Sequence, residues 1–124
     1  MITVGWDDEA RTIVRMVAKG NWTLDEFRNA SYQTMALIRT VSHPVYVLSD
    51  FSLTTSFPYG LLWQLRDLNQ MRPSNWAAGI AIAQDNFATK LVAVLSQVYM
   101  ERNKNRLFVV QSEADGHQII VHLK

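Results

Sequence analysis

Oxygen-bearing side chains crowd one short stretch of this chain: Ser49, Asp50, Ser52, Thr54, Thr55 and Ser56 fall within eight positions. Where such a stretch joins a strand to a helix, it offers hydroxyls and a carboxylate. The helix that follows adds free N–H groups at its positive end. An anion or a partner's carboxylate would dock on that combination. Two more loops are expected in the same setting, Gln84 to Phe87, which holds Asp85 and Asn86, and Gln111 to Asp115. Ser and Thr hydroxyls also satisfy turns and caps of their own chain, and that reading stands beside the functional one at each position. Tyr59 and Trp63, expected one turn apart on the second helix, extend the surface. An outward-facing Trp63 would form a partner contact, whereas a broad helix face lying on the sheet would bury Leu62 and Trp63 together, and burial is the expectation. The candidate partner- or ligand-binding residues are therefore Asp50, Ser52, Thr54, Thr55, Ser56, Tyr59, Trp63, Asp85 and Asn86.

Catalytic equipment is sparse. The chain has no cysteine, which excludes disulfides, thiolate catalysis and cysteine-ligated metal. It has no Gly-x-Ser-x-Gly elbow, and among its five glycines there is neither a dinucleotide fingerprint nor a Walker loop. His43, His117 and His122 are the only imidazoles. His117 and His122 are five apart, off the i,i+4 spacing that converges two ligands on one zinc ion, so surface or capping roles are expected and no metal or cofactor is assigned. Asp7-Asp8-Glu9 reads as a solvated hairpin turn. No enzymatic activity is expected.

The composition fixes the class. With 48% hydrophobic and 19% charged residues in 124, there is material for one core and no signature of disorder. A net charge of +1 carries no cationic excess to recruit nucleic acid. The basic run Arg102, Lys104 and Arg106 fits a helix C-terminus, where cations complement the dipole. No stretch approaches the roughly 20 apolar residues of a membrane span, and Met1-Ile2-Thr3-Val4 lacks the pattern of a signal peptide. A cytoplasmic protein is expected.

Patterning supplies the elements. Ile2, Val4 and Trp6 alternate with Thr3 and Gly5, and a second alternation runs from Thr12 to Lys19, which predicts an antiparallel hairpin. Thr23-Leu24-Asp25-Glu26 is a capping box that opens a helix over about Leu24 to Thr40. Val45-Tyr46-Val47-Leu48 is a continuous apolar run, as a strand buried on both faces requires. Pro58 suits the first turn of a second helix that carries Leu61, Leu65 and Leu68 and ends near Arg72-Pro73. Ala77 to Ala83 is another buried strand, and Asp85 caps a third helix with Phe87, Leu91, Leu95 and Val98 on one face. Leu107 to Val110 is the last strand. Ser112 caps a short fourth helix, although the β-branched Ile119-Ile120-Val121 is also compatible with extended chain. The order β-β-α-β-α-β-α-β-α predicts a single α/β domain over residues 1–124, with a mostly parallel five-stranded sheet, an N-terminal hairpin and four helices.

Gly20 closing the second strand, the run Val45 to Ser52, Gly60 opening a helix, and Leu107 to Ala114 together give a chain that resembles the STAS family, the domain of bacterial anti-anti-sigma factors. The likeness extends over nearly the whole length. In that family the third strand runs into Asp-hydrophobic-Ser, matched here by Asp50-Phe51-Ser52, and a later Asp-Ser-Ser-Gly carries a phosphorylated serine. Gly60 stands at that glycine, but Phe57-Pro58-Tyr59 precedes it, one residue short of the usual spacing and without the serine or its aspartate. The resemblance implies the fold without the standard phospho-switch, so neither Ser52 nor Ser56 is expected to be one. It is closer to a divergent STAS-like branch that also resembles CRAL-TRIO lipid-binding domains. The function expected is a non-catalytic interaction or regulatory module that binds a protein partner, with a second copy of the chain among the partners considered. The alternative is a carrier or sensor that holds a lipid or small apolar ligand between helices and sheet, lined by Leu61, Leu65, Leu91 and Leu95.

Overall fold

The hairpin starts the molecule, and its turn is built by one carboxylate. β1 (Ile2–Trp6) pairs antiparallel with β2 (Ile13–Ala18), Val4 opposite Met16. Between them Asp8 accepts from the backbone N–H groups of Thr12 at 2.9 Å and Ile13 at 3.0 Å, and from the Thr12 hydroxyl. Burial alone would raise the Asp8 carboxyl, but the Thr12 hydroxyl and these two amides together hold it below its ordinary value. The computed structural model describes residues 1–84, 90 and 106–124.

α1 (Leu24–Ile38) begins as its capping box dictates: the Thr23 hydroxyl accepts from the Glu26 amide and the Glu26 carboxylate accepts from the Thr23 amide. It stops two residues before Thr40. The Asn75 side-chain amide lies 3.0 to 3.1 Å from the carbonyls of Ile38, Val41 and His43. It thereby gathers chain-end acceptors that a further helical turn would have used.

β4 (Val45–Asp50) is the central strand, parallel to β2 on one side and to β6 (Trp76–Ile82) on the other. β7 (Arg106–Val110) adds the last parallel neighbour, giving the sheet order β1-β2-β4-β6-β7. The expected segment Ala77 to Ala83 is thus an interior strand, consistent with its apolar run. A second, two-stranded sheet joins β3 (Gly20–Asn21) to β5 (Thr54–Ser56). Sequence patterning gives no sign of it, because segments of two and three residues are too short to show a period.

Right-handed crossovers put α1 and α2 (Leu61–Gln70) on one face, where Phe27, Met35, Leu65 and Leu68 pack with Met16, Ala18 and Ala81. α3 (Glu113–Leu123) lies on the other face, with Ile120 against Ile13, Leu48 and Ile80. Among the described residues there are three helices. The expected helix from Asp85, with Phe87, Leu91, Leu95 and Val98, lies outside the described residues.

The final helix forms as expected, and Ile119-Ile120-Val121 lies in it: Ser112 caps α3 through the Asp115 amide and Ile120 is buried in the core. Two local expectations are corrected. Pro58 is not in the first turn of α2, since the chain turns at Gly60, whose φ of 89° favours glycine. Trp63 is not buried. Leu61, Leu65 and Leu68 form the inward i, i+4, i+7 stripe of α2, which turns Trp63 outward. No helix among the described residues is long and apolar enough to cross a membrane.

Candidate functional site

The polar loop after β4 is largely occupied with itself. Asp50, the last residue of β4, accepts at Oδ1 from the Ser52 amide at 2.9 Å and the Ser52 hydroxyl at 2.6 Å. Thr54 is buried; its hydroxyl donates to the Ala18 carbonyl at 2.9 Å and accepts from the Trp22 indole at 3.1 Å. The Thr55 and Ser56 hydroxyls donate to Asn21 Oδ1 at 2.6 and 2.7 Å. The hydroxyls of Ser52, Thr54, Thr55 and Ser56 therefore serve to close the loop on itself and on residues 18 to 22. Beneath it Trp22 stacks on Phe27 at 5.4 Å between ring centroids, with Phe51 and Phe57 within 6.1 Å. This aromatic cluster anchors the loop, and an alternating aromatic pattern does not announce it.

The large side chains that the loop and the start of α2 present outward are apolar and aromatic. Tyr59 is 101% exposed, Trp63 66% and Leu53 57%. Tyr59 precedes α2 and so is not on the helix with Trp63, as the sequence had suggested. The Arg66 guanidinium lies 5.2 Å from the Trp63 ring centroid, one turn along α2. Asp85 and Asn86 lie outside the described residues.

Asp50 itself faces elsewhere. Side chains alternate along β4, so Asp50 shares the face of Tyr46 and Leu48, the one α3 covers. There its Oδ2 is 3.5 Å from Arg15 Nη2. Arg15 stands opposite Leu48 in the register of β2 and β4 and reaches three carboxylates: Asp50, Asp7 at 3.7 Å and Glu113, to which Nη1 donates a short hydrogen bond. The Glu113 bond raises the guanidinium above its ordinary value against the opposing effect of burial. His117, one turn along α3 from Glu113, completes the group by donating from Nε2 to Asp7 Oδ2 at 2.7 Å.

This network corrects two expectations. Asp7 is no merely solvated turn residue, and His117 is neither a free surface group nor a cap. Ligand-type atoms of Asp7, Glu113 and His117 lie within 4.8 Å of one another. Arg15 already sits on two of these carboxylates, so its fixed positive charge stands where a metal ion would have to go. The arrangement is an ion-pair network joining the β1–β2 turn, β2, β4 and α3. The network is hard to see in the sequence, because the partners of Arg15 are 98 positions away at Glu113 and 35 at Asp50.

A sheet with a hairpin edge, two crossover helices on one face and a closing helix on the other defines a SpoIIAA-like fold, which is the STAS-like fold. The structure is similar to the crystal structure of an uncharacterized protein from the DUF3478 family of Shewanella loihica, described as having that fold. The TM-score is 0.70 at 12% sequence identity, over 95% of this chain and 92% of that one. At that identity the likeness speaks for the fold alone. The chain matches no protein-family model and no curated protein.

Proposed function

We propose that this chain is a non-catalytic STAS-like interaction module that binds a protein partner through the outward side of the segment from Leu53 to Arg66. One observation carries the reading: Leu53, Tyr59 and Trp63 are exposed on a segment whose Thr54, Thr55 and Ser56 hydroxyls are already paired within the chain. Large aromatic side chains standing in water beside a guanidinium are the residue types that dominate protein–protein contacts. The hydroxyls and Asp50 hold the loop in shape, and the aromatics make the contact. This surface departs from a phospho-acceptor site, since Tyr59 fills the place a serine would hold.

A second reading has an observation of its own. An apolar cavity of about 80 Å³ lies between α1, α2 and the sheet, lined among others by Phe27, Met35, Leu61, Leu65 and Leu68. A lipid carrier akin to CRAL-TRIO domains would use it. That volume is well below the roughly 150 Å³ of an engineered cavity that takes up benzene, which favours the interaction module. Leu91 and Leu95, expected in the lining, lie outside the described residues.

Native mass spectrometry of protein purified from its own host separates the two. A co-purifying polypeptide lost on Trp63→Ala supports the module. Bound lipid retained by that variant overturns it in favour of the carrier.

A further inference from the structure

The face of the sheet under α3 is closed by a contact that depends on one proton. His117 is approached by an acceptor at each ring nitrogen: Asp7 Oδ2 lies 2.7 Å from Nε2, and the Glu113 carbonyl oxygen lies 3.1 Å from Nδ1. Neither acceptor can donate, so only an imidazolium, with an N–H on both nitrogens, satisfies both at once. A neutral ring must leave one of them unpaired. The charges around the ring point the same way. From the hairpin corner comes Asp7, from β2 Arg15, from β4 Asp50 through Arg15, and from α3 itself Glu113. The other ion group at this end, Asp8 with Lys124 near Thr12, belongs to the hairpin turn and the chain's last residue. With His117 charged, two cations face three carboxylates and one negative charge remains. With His117 neutral there are two.

We propose that the His117–Asp7 contact is a proton-operated latch that fastens α3 to the hairpin corner and so keeps the apolar face of Ile13, Leu48 and Ile80 covered. The latch sits at the N-terminal end of α3. The same helix is also held by Glu113 on Arg15, by Ile120 in the core and by a Tyr46 hydroxyl that donates to the Leu123 carbonyl at 3.3 Å. Loss of the proton thus loosens the helix from its first turns without unfolding the sheet. The hydrogen bond to Asp7 raises His117 above its ordinary value of 6.5, with burial opposing it. Since the folded value lies above the unfolded one, the contribution is complete below about pH 6.5 and disappears as pH climbs through the raised folded value. The latch is therefore fastened on the low-pH side of the raised His117 value and released on the high-pH side.

Two measurements on the whole protein test it. The first is the ¹⁵N spectrum of the His117 ring, expected to show both nitrogens protonated at pH 6.5 and a titration above that value. The second is hydrogen exchange of the α3 amides, corrected for the intrinsic rate and taken relative to β4 and β6. Between pH 6 and 9 the relative opening of α3 is expected to rise roughly two- to fivefold, as for a partly exposed ion pair. In His117→Gln and in Asp7→Asn it is expected to stay flat. A His117 ring that titrates at or below 6.5 would overturn the latch, as would equal pH dependence in the wild type and both variants. Should His117→Gln fail to fold, the wild-type ring titration and Asp7→Asn still decide.

Discussion

The loop after β4 and the network around Arg15 meet at Asp50 but are built on opposite plans. The loop pairs its polar groups with itself and with the short segment that follows β2: Asp50 with Ser52, and Thr55 and Ser56 with Asn21. The network takes distant residues and needs the whole fold to assemble Asp7, Arg15, Asp50, Glu113 and His117. A dense run of polar residues in sequence is therefore tied up between the loop and residues 18 to 22, while the arrangement with unusual electrostatics came from scattered charges. What the loop leaves for a partner is the apolar and aromatic residue types that the hydroxyls displace outward.

The largest expected effect tests whether the loop is anchored from below. Trp22→Ala removes a buried indole that contacts three other rings and leaves Thr54 without its donor. A loss of about 3 to 5 kcal/mol is expected in chemical denaturation. A loss under about 1 kcal/mol would show that the aromatic cluster does not hold the loop.

On the other face, Gly116 lets α3 lie close on the sheet. A Cβ there would stand 2.9 Å from Leu48 Cδ1 and 3.3 Å from Ile80 Cγ2, both on fully packed side chains. Gly116→Ala gains about 1 kcal/mol of helix propensity but overpacks the contact at a cost of roughly 1 to 3 kcal/mol. A net loss is expected in thermal melting. A rise in melting temperature would mean that α3 moves away from the sheet easily, and the latch would then have less to hold.

Asp50→Asn is smaller and links the two regions. It keeps the acceptor for Ser52 but removes one of three negative charges around Arg15. Since Asp7 and Glu113 remain, a stability loss of under about 1 kcal/mol is expected, shrinking in high salt. Partner capture should be unaffected, because the Asp50 carboxylate faces α3 and not the aromatic surface. Lost capture without lost stability would return the carboxylate to the recognition surface.

What was legible in the sequence follows from how locally each feature is determined. The capping box fixed the start of α1 at Leu24, and the alternation from Ile2 to Trp6 set β1 residue for residue. Apolar runs placed β4 and β6 inside the sheet. A mostly parallel sheet with a hairpin at one edge followed, because strands separated by helices return by crossovers. The end of α1 needed Asn75, 37 positions beyond Ile38, and the orientation of Asp50 needed the face on which α3 packs. Residues 50 to 63 drew attention for their hydroxyls, whereas Tyr59 and Trp63 are what they expose. Proline at position 58 suggested a helix start on propensity alone, but the left-handed turn that launches α2 requires the glycine two residues later.

The smallest expected change in stability carries the most weight for function. Tyr59 and Trp63 contribute little to the core, since their rings stand in solvent apart from the contact of Trp63 with Arg66. Tyr59→Ala and Trp63→Ala should each shift stability by no more than about 0.5 kcal/mol, the usual range for surface substitutions. If these rings anchor a partner, truncating either removes a contact worth 2 kcal/mol or more, roughly thirtyfold in affinity. Capture of the partner from host lysate would then fall below detection while the melting temperature hardly moves. Leu65→Ala gives the opposite pattern, because Leu65 is buried in the stripe of α2 and its loss opens a cavity at about 2 to 5 kcal/mol. Captured partner per folded molecule should survive that change. Equal capture by wild type, Tyr59→Ala and Trp63→Ala would remove the aromatic surface from the function. Loss of capture only in step with melting would reduce these rings to structural parts of the loop.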